Sequence, residues 1–245
     1  MDTWTISREN DDEFEEEINE YCEYFAYTIG AILGDGYFHF SPKSHQYRLG
    51  IDTMDLEVVQ MVAQEINGKL FTDYKIHSYQ KKNRNSEYYR FRTSNPDIFY
   101  FFYLLTEART SIPQHLFNAD NNVKRRFIAG MFDTDGYAAV NKQPKGDSMH
   151  YQVGFSNTNG QIIRGVAKIL QMLGVKVGAI SVNDNSKSTF YNERTSKLIW
   201  RIQPNVRSFI ESGCYFNVRR KREILEQYMR HVASETLHAE PSTQG

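Results

Sequence analysis

A short segment occurs twice in this chain, and the repeat limits the possible folds more than any other feature. The first copy is Tyr27-Thr-Ile-Gly-Ala-Ile-Leu-Gly-Asp-Gly-Tyr37 and the second is Phe127-Ile-Ala-Gly-Met-Phe-Asp-Thr-Asp-Gly-Tyr137. Gly30, Asp35, Gly36 and Tyr37 recur as Gly130, Asp135, Gly136 and Tyr137, at an offset of 100. Further on, Tyr47-Arg-Leu-Gly-Ile51 is echoed by Tyr151-Gln-Val-Gly-Phe155 at an offset of 104. Two copies in 245 residues point to a duplicated unit with pseudo-twofold symmetry rather than a long solenoid.

Each copy opens the same order of elements: helix, strand, strand, helix, strand, strand, helix. In the first half the pattern predicts a helix over about 16–33 and strands at about 36–41 and 46–53 around the turn Ser41-Pro42-Lys43-Ser44. Leu56, Val59, Val62, Ala63 and Ile66 make a helical stripe that Gly68 is expected to end. Strands at about 70–79 and 86–93 follow, and Asn95-Pro96 opens an aromatic helix to about 106, whose rings suit core packing. The second half predicts a helix at 123–133, strands at 136–142 and 149–156, and a helix at 159–173 ending at Gly174. Strands at 175–182 and 196–203, a helix opened by Pro204-Asn205 and a basic helix at 218–232 complete it. The expected division is an acidic flexible leader (1–15), a first half (16–106), a linker (107–122), a second half (123–233) and a disordered tail (234–245). The fold class is α+β, a duplicated αββαββα.

The motif has a chemical consequence. On a helix, Ala26, Gly30 and Gly34 fall on one face, and Gly130 gives the second copy the same close-approach surface four residues before Thr134. Helices packed on these faces bring their C-terminal ends together, and those ends carry Asp35 and Asp135. A carboxylate there opposes the helix dipole at a cost of ~0.3–1 kcal/mol, and two of them repel each other. A divalent cation removes both penalties. Mg²⁺ takes oxygen ligands and keeps waters, leaving room for phosphate oxygens. The expectation is a metal-dependent phosphoryl-transfer centre on the pseudo-dyad.

Charge supports a nucleic-acid partner despite a formal net charge of −1. Residues 1–24 hold ten acids against one base, which leaves 28 bases against 20 acids in the rest of the chain. The leader is expected to weaken nonspecific DNA binding by repelling phosphate. Along the strands Lys75, His77, Tyr79 and Lys81 alternate, as do Arg90 and Arg92 against Tyr89 and Phe91, and Arg201 and Gln203 against Trp200 and Ile202. One apolar face and one face of Arg, Lys, Tyr, His and Gln suits base readout in the major groove, with Arg48 on a neighbouring strand. Lys43, Lys81, Lys82, Arg84, Lys142 and Lys145 sit at turns and suit phosphate contact.

The two motifs resemble the signatures of single-chain, two-repeat LAGLIDADG homing endonucleases, over roughly residues 20–230. The stretch from Ser111-Ile112-Pro113 to Arg126 is also similar to the approach to second motifs in that family. The first motif departs from the pattern in having Leu33 where the second keeps Asp133, a position that is not a metal ligand in the family. The resemblance implies two antiparallel four-stranded sheets saddling double-stranded DNA, with helices behind. It also implies Mg²⁺ or Mn²⁺ held by Asp35, Asp135 and the carbonyls of Gly34 and Thr134, and a staggered cut across the minor groove. Arg219, Lys221 and Gln152 are candidates to support the transition state, and no matching lysine stands out in the first half. A non-cleaving nucleic-acid-binding protein on the same scaffold, such as an intron maturase or a DNA-binding regulator, is the alternative.

No apolar run reaches the roughly 20 residues of a membrane span. Two cysteines, Cys22 and Cys214, build neither a disulfide framework nor a cysteine zinc site. An intracellular monomer is expected.

Overall fold

The computed structural model describes residues 11–81, 86–142, 149–184 and 198–239. Residues 1–10 of the acidic leader, Lys82, Arg84, Lys145 and the tail from 240 lie outside the described residues.

The first half runs α1 (Asp11–Tyr24), α2 (Ala26–Asp35), β1 (Gly36–Ser41), β2 (Gln46–Thr53), α3 (Leu56–Leu70), β3 (His77–Gln80), β4 (Glu87–Thr93) and α4 (Pro96–Leu105). A single 3₁₀ turn (Glu107–Arg109) and α5 (Gln114–Asn118) lead to the second half. That half comprises α6 (Asn121–Thr134), β5 (Gly136–Lys142), β6 (Met149–Asn157), α7 (Gly160–Met172), β7 (Ser181–Asp184), β8 (Leu198–Ile202), α8 (Val206–Glu211) and α9 (Arg219–Ala239). The strands form two antiparallel four-stranded sheets of identical order, β1-β2-β4-β3 and β5-β6-β8-β7. The expected duplicated α+β architecture is present.

Local chemistry accounts for most element ends. Asn95 caps α4 through the Asp97 and Ile98 amides, with Pro96 at the first helical position. Asp120 caps α6 through Asn122 and Val123, and Asn205 caps α8 through Ser208. Every residue of α2 from Ala26 to Gly34 is buried, so this helix is apolar on all sides and forms the middle of the core with α6. Phe25, Phe127, Phe132, Phe155 and Phe209 pack around the pair.

Several boundaries differ from the sequence expectation. The helix expected at 16–33 is two helices meeting at Phe25, whose N–H still bonds Tyr21 while its carbonyl accepts from Ile29. Gly68 does not end α3. It lies against the Tyr24 hydroxyl, where a Cβ would approach within 2.9 Å, and the helix continues to Leu70 before Phe71 turns left-handed at φ 50°. Residues 70–76 are consequently not strand. The linker 107–122 holds the 3₁₀ turn, α5 and the first residues of α6. The last helix extends past 232 to Ala239, and α1 begins at Asp11 inside the expected leader. A charged surface helix gives little apolar periodicity from which to read its ends.

Candidate metal centre at the paired motif helices

The contact between α2 and α6 needs glycine. A Cβ at Gly30 would lie 2.9 Å from the Met131 amide nitrogen and overlap the Phe127 carbonyl. A Cβ at Gly130 would lie 2.9 Å from the Ala31 nitrogen and overlap the Tyr27 carbonyl. One turn on, Gly34 abuts the Thr134 side chain, whose hydroxyl donates back to the Gly130 and Met131 carbonyls. The helix pair is therefore symmetric about the two glycines, and its ends deliver Asp35 and Asp135 side by side.

Asp133, the acid that Leu33 replaces in the first motif, is fully buried and saturated. Its carboxylate accepts from the Tyr27 hydroxyl (2.9 Å), the Asn217 backbone and side-chain nitrogens (3.0 and 3.1 Å) and the Val218 amide (3.1 Å). This carboxylate fastens the segment before α9 to the motif helices and is not free to bind a cation.

The two motif carboxylates stand in a costly environment. Burial pushes the pKa of Asp135 up to about 6, the neighbouring Asp35 adds to the rise, and a 2.6 Å hydrogen bond from the Asn157 amide opposes it. Asp35 opens to solvent on one side but is hemmed in by protein on the others, and burial raises its pKa as well. Lys221 and then Arg109 are the cations that pull Asp35 back down.

Those two cations are held in matching ways. Lys221 is buried, and its ammonium donates to the carbonyls of Phe132 (2.9 Å), Asp133 (2.7 Å) and Gly136 (2.7 Å). Burial lowers its pKa to about 8. Arg109 donates to the carbonyls of Leu33 (3.2 Å), Gly34 (2.6 Å) and Gly36. Each cation thus caps the C-terminal end of one motif helix, where the dipole favours positive charge. Burial also lowers the pKa of Arg109, and its Nε is buried with no hydrogen-bond partner. A cleft of about 250 Å³ is lined by Gly34, Arg109, Asp135, Ser156, Asn157, Thr158 and Ile199.

Arg109 and Asn157 are the residues that sequence reasoning missed. Arg109 lies in the segment expected to be linker, and a basic residue after the Asn-capped helix that follows each sheet's last strand, α4 and α8, was the available signal. Its backbone is unusual: Glu107, Ala108 and Arg109 have φ of 46°, 51° and 64°. Three consecutive non-glycine left-handed residues cost roughly 1–2 kcal/mol each, a strain that the carbonyl clamp at Arg109 holds in place.

Two catalytic candidates need correction. Arg219 is solvated and pairs with Glu223 one turn along α9 at 2.7 Å. Helical spacing puts it on a different face from the buried Lys221. Gln152 pairs with Ala139 on β6, three residues along the strand from the Gly136–Phe155 pair next to Asp135. It lines a separate cleft with His231 and Arg207, and Asn157 is the amide that reaches the carboxylate.

The outward sheet faces carry the expected side chains. In the first sheet His39 pairs with Arg48, Gly50 with Arg92, and Arg90 with both Asp52 and His77. Arg90 forms a two-pronged ion pair with Asp52 (2.5 and 3.0 Å) beneath Tyr79, and Lys81 lies over the Tyr88 ring at 3.9 Å. Arg90 is thus internally compensated, whereas Arg92 and His77 are exposed. Lys75 pairs with Asp73 in solvent, and Lys43 is exposed in the β1–β2 turn. In the second sheet Arg201 is exposed opposite Ser156 and Ser181, Gln203 donates to the Tyr137 hydroxyl, and Lys142 ends β5 exposed. Gly50 and Gly154 lie under the rings of Tyr37 and Tyr137, which leaves no room for a side chain at either position.

Comparison with known proteins places this architecture. Residues 122–209 match the family model described as the LAGLIDADG-like domain. The fold is that of the homing endonuclease I-DmoI in complex with DNA and Ca, with 17% identity, a TM-score of 0.55, and coverage of 84% of this chain and 98% of that one. The homing endonuclease I-WcaI bound to its DNA recognition sequence aligns at 14% identity and a TM-score of 0.52 over 90% of this chain and 95% of its own. The molecule is thus two LAGLIDADG folds joined in one chain. The match to the LAGLIDADG-like domain takes in the second motif helix and most of the second half. Among curated proteins, the ribonucleoside-diphosphate reductase NrdEB subunit alpha of Bacillus subtilis (strain 168), and its counterpart from Bacillus phage SPbeta, are 24% identical over 198 residues. That match takes in 73% of this chain but only 17% of those proteins. No helix among the described residues is long and apolar enough to cross a membrane.

Proposed function

We propose that this protein is a site-specific endonuclease of double-stranded DNA, acting as a monomer inside the cell and dependent on Mg²⁺ or Mn²⁺. The observation that carries the reading is the pair of desolvated carboxylates at the ends of α2 and α6, flanked by two anchored cations. Binding DNA alone requires no such pair, since like charges brought together repel phosphate and each other.

The donor set suits a hard divalent ion. Asp35 and Asp135 offer carboxylate oxygens, and the carbonyls of Gly34 and Thr134 lie one residue before them. The Gly34 carbonyl accepts from Arg109 and keeps a second lone pair. When bound, the metal would neutralise the carboxylates, activate water and stabilise the leaving oxygen. The chain's own groups do the rest. Asn157 orients Asp135, Arg109 and Lys221 supply positive charge against the scissile phosphates, and the polar sheet faces fix the register of the duplex. One carboxylate for each strand, related by the pseudo-dyad, gives a staggered double-strand break.

The deciding experiment is a cleavage selection on a randomised duplex library, with and without Mg²⁺, followed by sequencing of cut ends. A single long consensus with a metal-dependent staggered cut is expected. Binding enrichment without cutting would move the reading to a non-cleaving DNA-binding protein.

Metal affinity should depend on pH with a defined sign. The pKa of Asp135 is about 6, above its ordinary 3.8, so the proton is held more tightly in the folded protein and must leave before a cation binds. Affinity for Ca²⁺ or Mn²⁺ is expected to be level above about pH 7 and to fall by up to about tenfold per unit below pH 6. Calorimetric titrations at pH 7.5, 6 and 5 check this. In the metal-free protein the same shift contributes stability that is present below the unfolded pKa near 4 and is lost as pH rises through 6.

A further inference from the structure

The helix that follows each sheet's second strand begins at equivalent positions, Asp55 for α3 and Asn159 for α7. Both side chains reach across the pseudo-dyad. The Asp55 carboxylate receives a two-pronged ion pair from Arg220 (Nε–Oδ1 2.8 Å, Nη2–Oδ2 2.7 Å), directly before Lys221 in the other half. In the first turn of α3, Glu57 accepts from the Arg219 amide at 3.3 Å. The Asn159 amide donates to the Arg109 and Thr110 carbonyls (3.5 and 2.8 Å), the segment that bears the first half's cation. Arg109 lines the same cleft as Asp135 and Asn157, so the base anchored on the first motif shares a cleft with the carboxylate of the second.

We infer that Asp55 and Asn159 are positioning residues that fasten the two cations across the pseudo-dyad, Asp55 holding Lys221 on the end of the second motif helix through Arg220, and Asn159 holding Arg109 in the cleft of Asp135 through the Arg109 and Thr110 carbonyls. The two fastenings differ in kind. One is a charged pair with Arg220 exposed to solvent, and the other is a neutral amide–carbonyl bond. Salt therefore loosens the Lys221 side while sparing the Arg109 side. The inference rests on the endonuclease reading for its consequence on cutting, but not for the fastening itself.

Two measurements test it on the full-length protein. The first needs neither DNA nor metal: modification of lysines by an amine-reactive reagent, read by mass spectrometry, with exposed Lys176 as internal reference. The Asp55 side chain makes no capping bond to α3, so Asp55→Asn removes the fastening without removing a cap. Labelling at Lys221 is expected to rise at least about fivefold in Asp55→Asn and in Arg220→Gln, and to return toward wild type in the double charge reversal Asp55→Arg/Arg220→Asp. Unchanged labelling in both single variants, or no recovery in the double, overturns the inference.

The second measurement follows nicking of each strand of the selected target. Asn159→Asp keeps the Oδ1 that caps α7 through the Gln161 amide, but turns an acceptor toward the carbonyls. Asp55→Asn should slow the strand most impaired by Lys221→Met, and Asn159→Asp the strand most impaired by Arg109→Gln, each by about 10–100-fold. Equal slowing of both strands means a merely structural role and overturns the inference. If the wild-type protein cuts no duplex, it is the endonuclease reading that fails, and the labelling result still decides whether Asp55 holds Lys221.

Discussion

Asp135→Asn and Asp35→Asn are each expected to cut DNA at least about 1,000-fold more slowly than the parent while binding the target duplex with similar affinity. An amide keeps the shape of the carboxylate and removes its charge, and the Mg²⁺ site proposed above would lose half its negative charge. Stability should move the other way. Asp135 is desolvated and repelled by Asp35, so its ionised form is a liability in the metal-free protein. The neutral variant is expected to melt higher than the parent at pH 7.5 without metal, the pattern of a site kept at the expense of stability. Strand-resolved cleavage, binding isotherms and thermal melts with and without Mg²⁺ check the three parts. Normal cutting by either variant would sink the endonuclease mechanism.

Gly130→Val should be the most damaging single change in the core. Its Cβ would lie 2.9 Å from the Ala31 nitrogen and 3.0 Å from the Tyr27 carbonyl carbon, all backbone of the facing helix, so no side chain can swing away. The helices must separate, undoing the burial of α2 along its whole length. Overpacking typically costs about 1–3 kcal/mol and occasionally more, and a clash with backbone that cannot swing away belongs at the upper end, a large part of the roughly 5–15 kcal/mol that holds a domain together. Gly174→Ala is the control. That residue has φ +84° with nothing within 4 Å, so only the left-handed backbone is penalised, by about 1 kcal/mol. Chemical denaturation of both variants measures the contrast. A Gly130→Val protein as stable as Gly174→Ala would show that the helices do not depend on the close approach.

Much of this architecture was legible because its signals are local or repeated. Gly30 and Gly130 announced helix contact through spacing alone, Asn95-Pro96 and Pro204-Asn205 marked helix starts, and alternation along β4 separated Arg90 and Arg92 from Phe91. The differences from the sequence expectation come from tertiary contacts. Gly68 is a common stop signal, but Tyr24 from a distant helix packs against it and α3 continues. Gln152 was chosen from its place behind the motif, whereas pairing of Gly136 with Phe155 sets Asn157 beside Asp135. Arg219 and Lys221 are close neighbours in sequence and equally basic, and only packing distinguishes the solvated cation from the one buried on three carbonyls.

The sequence by itself determined the duplicated fold, the paired motif helices, the placement of Asp35 and Asp135 at their ends, and the polar outer faces of the strands. Each of these follows from periodicity, steric size or backbone geometry, which act over a few residues and repeat at a fixed offset. Only the tertiary structure decided which cations serve the carboxylates. Arg109 and Lys221 reach the motif carbonyls from elements 73 to 89 residues away in sequence, and Asp55 and Asn159 bond Arg220 and the Arg109–Thr110 backbone from the opposite half. A side chain delivered over that separation leaves no period in the sequence, because its position is fixed by the packing of whole elements and by the need to satisfy buried carbonyls where two helices end.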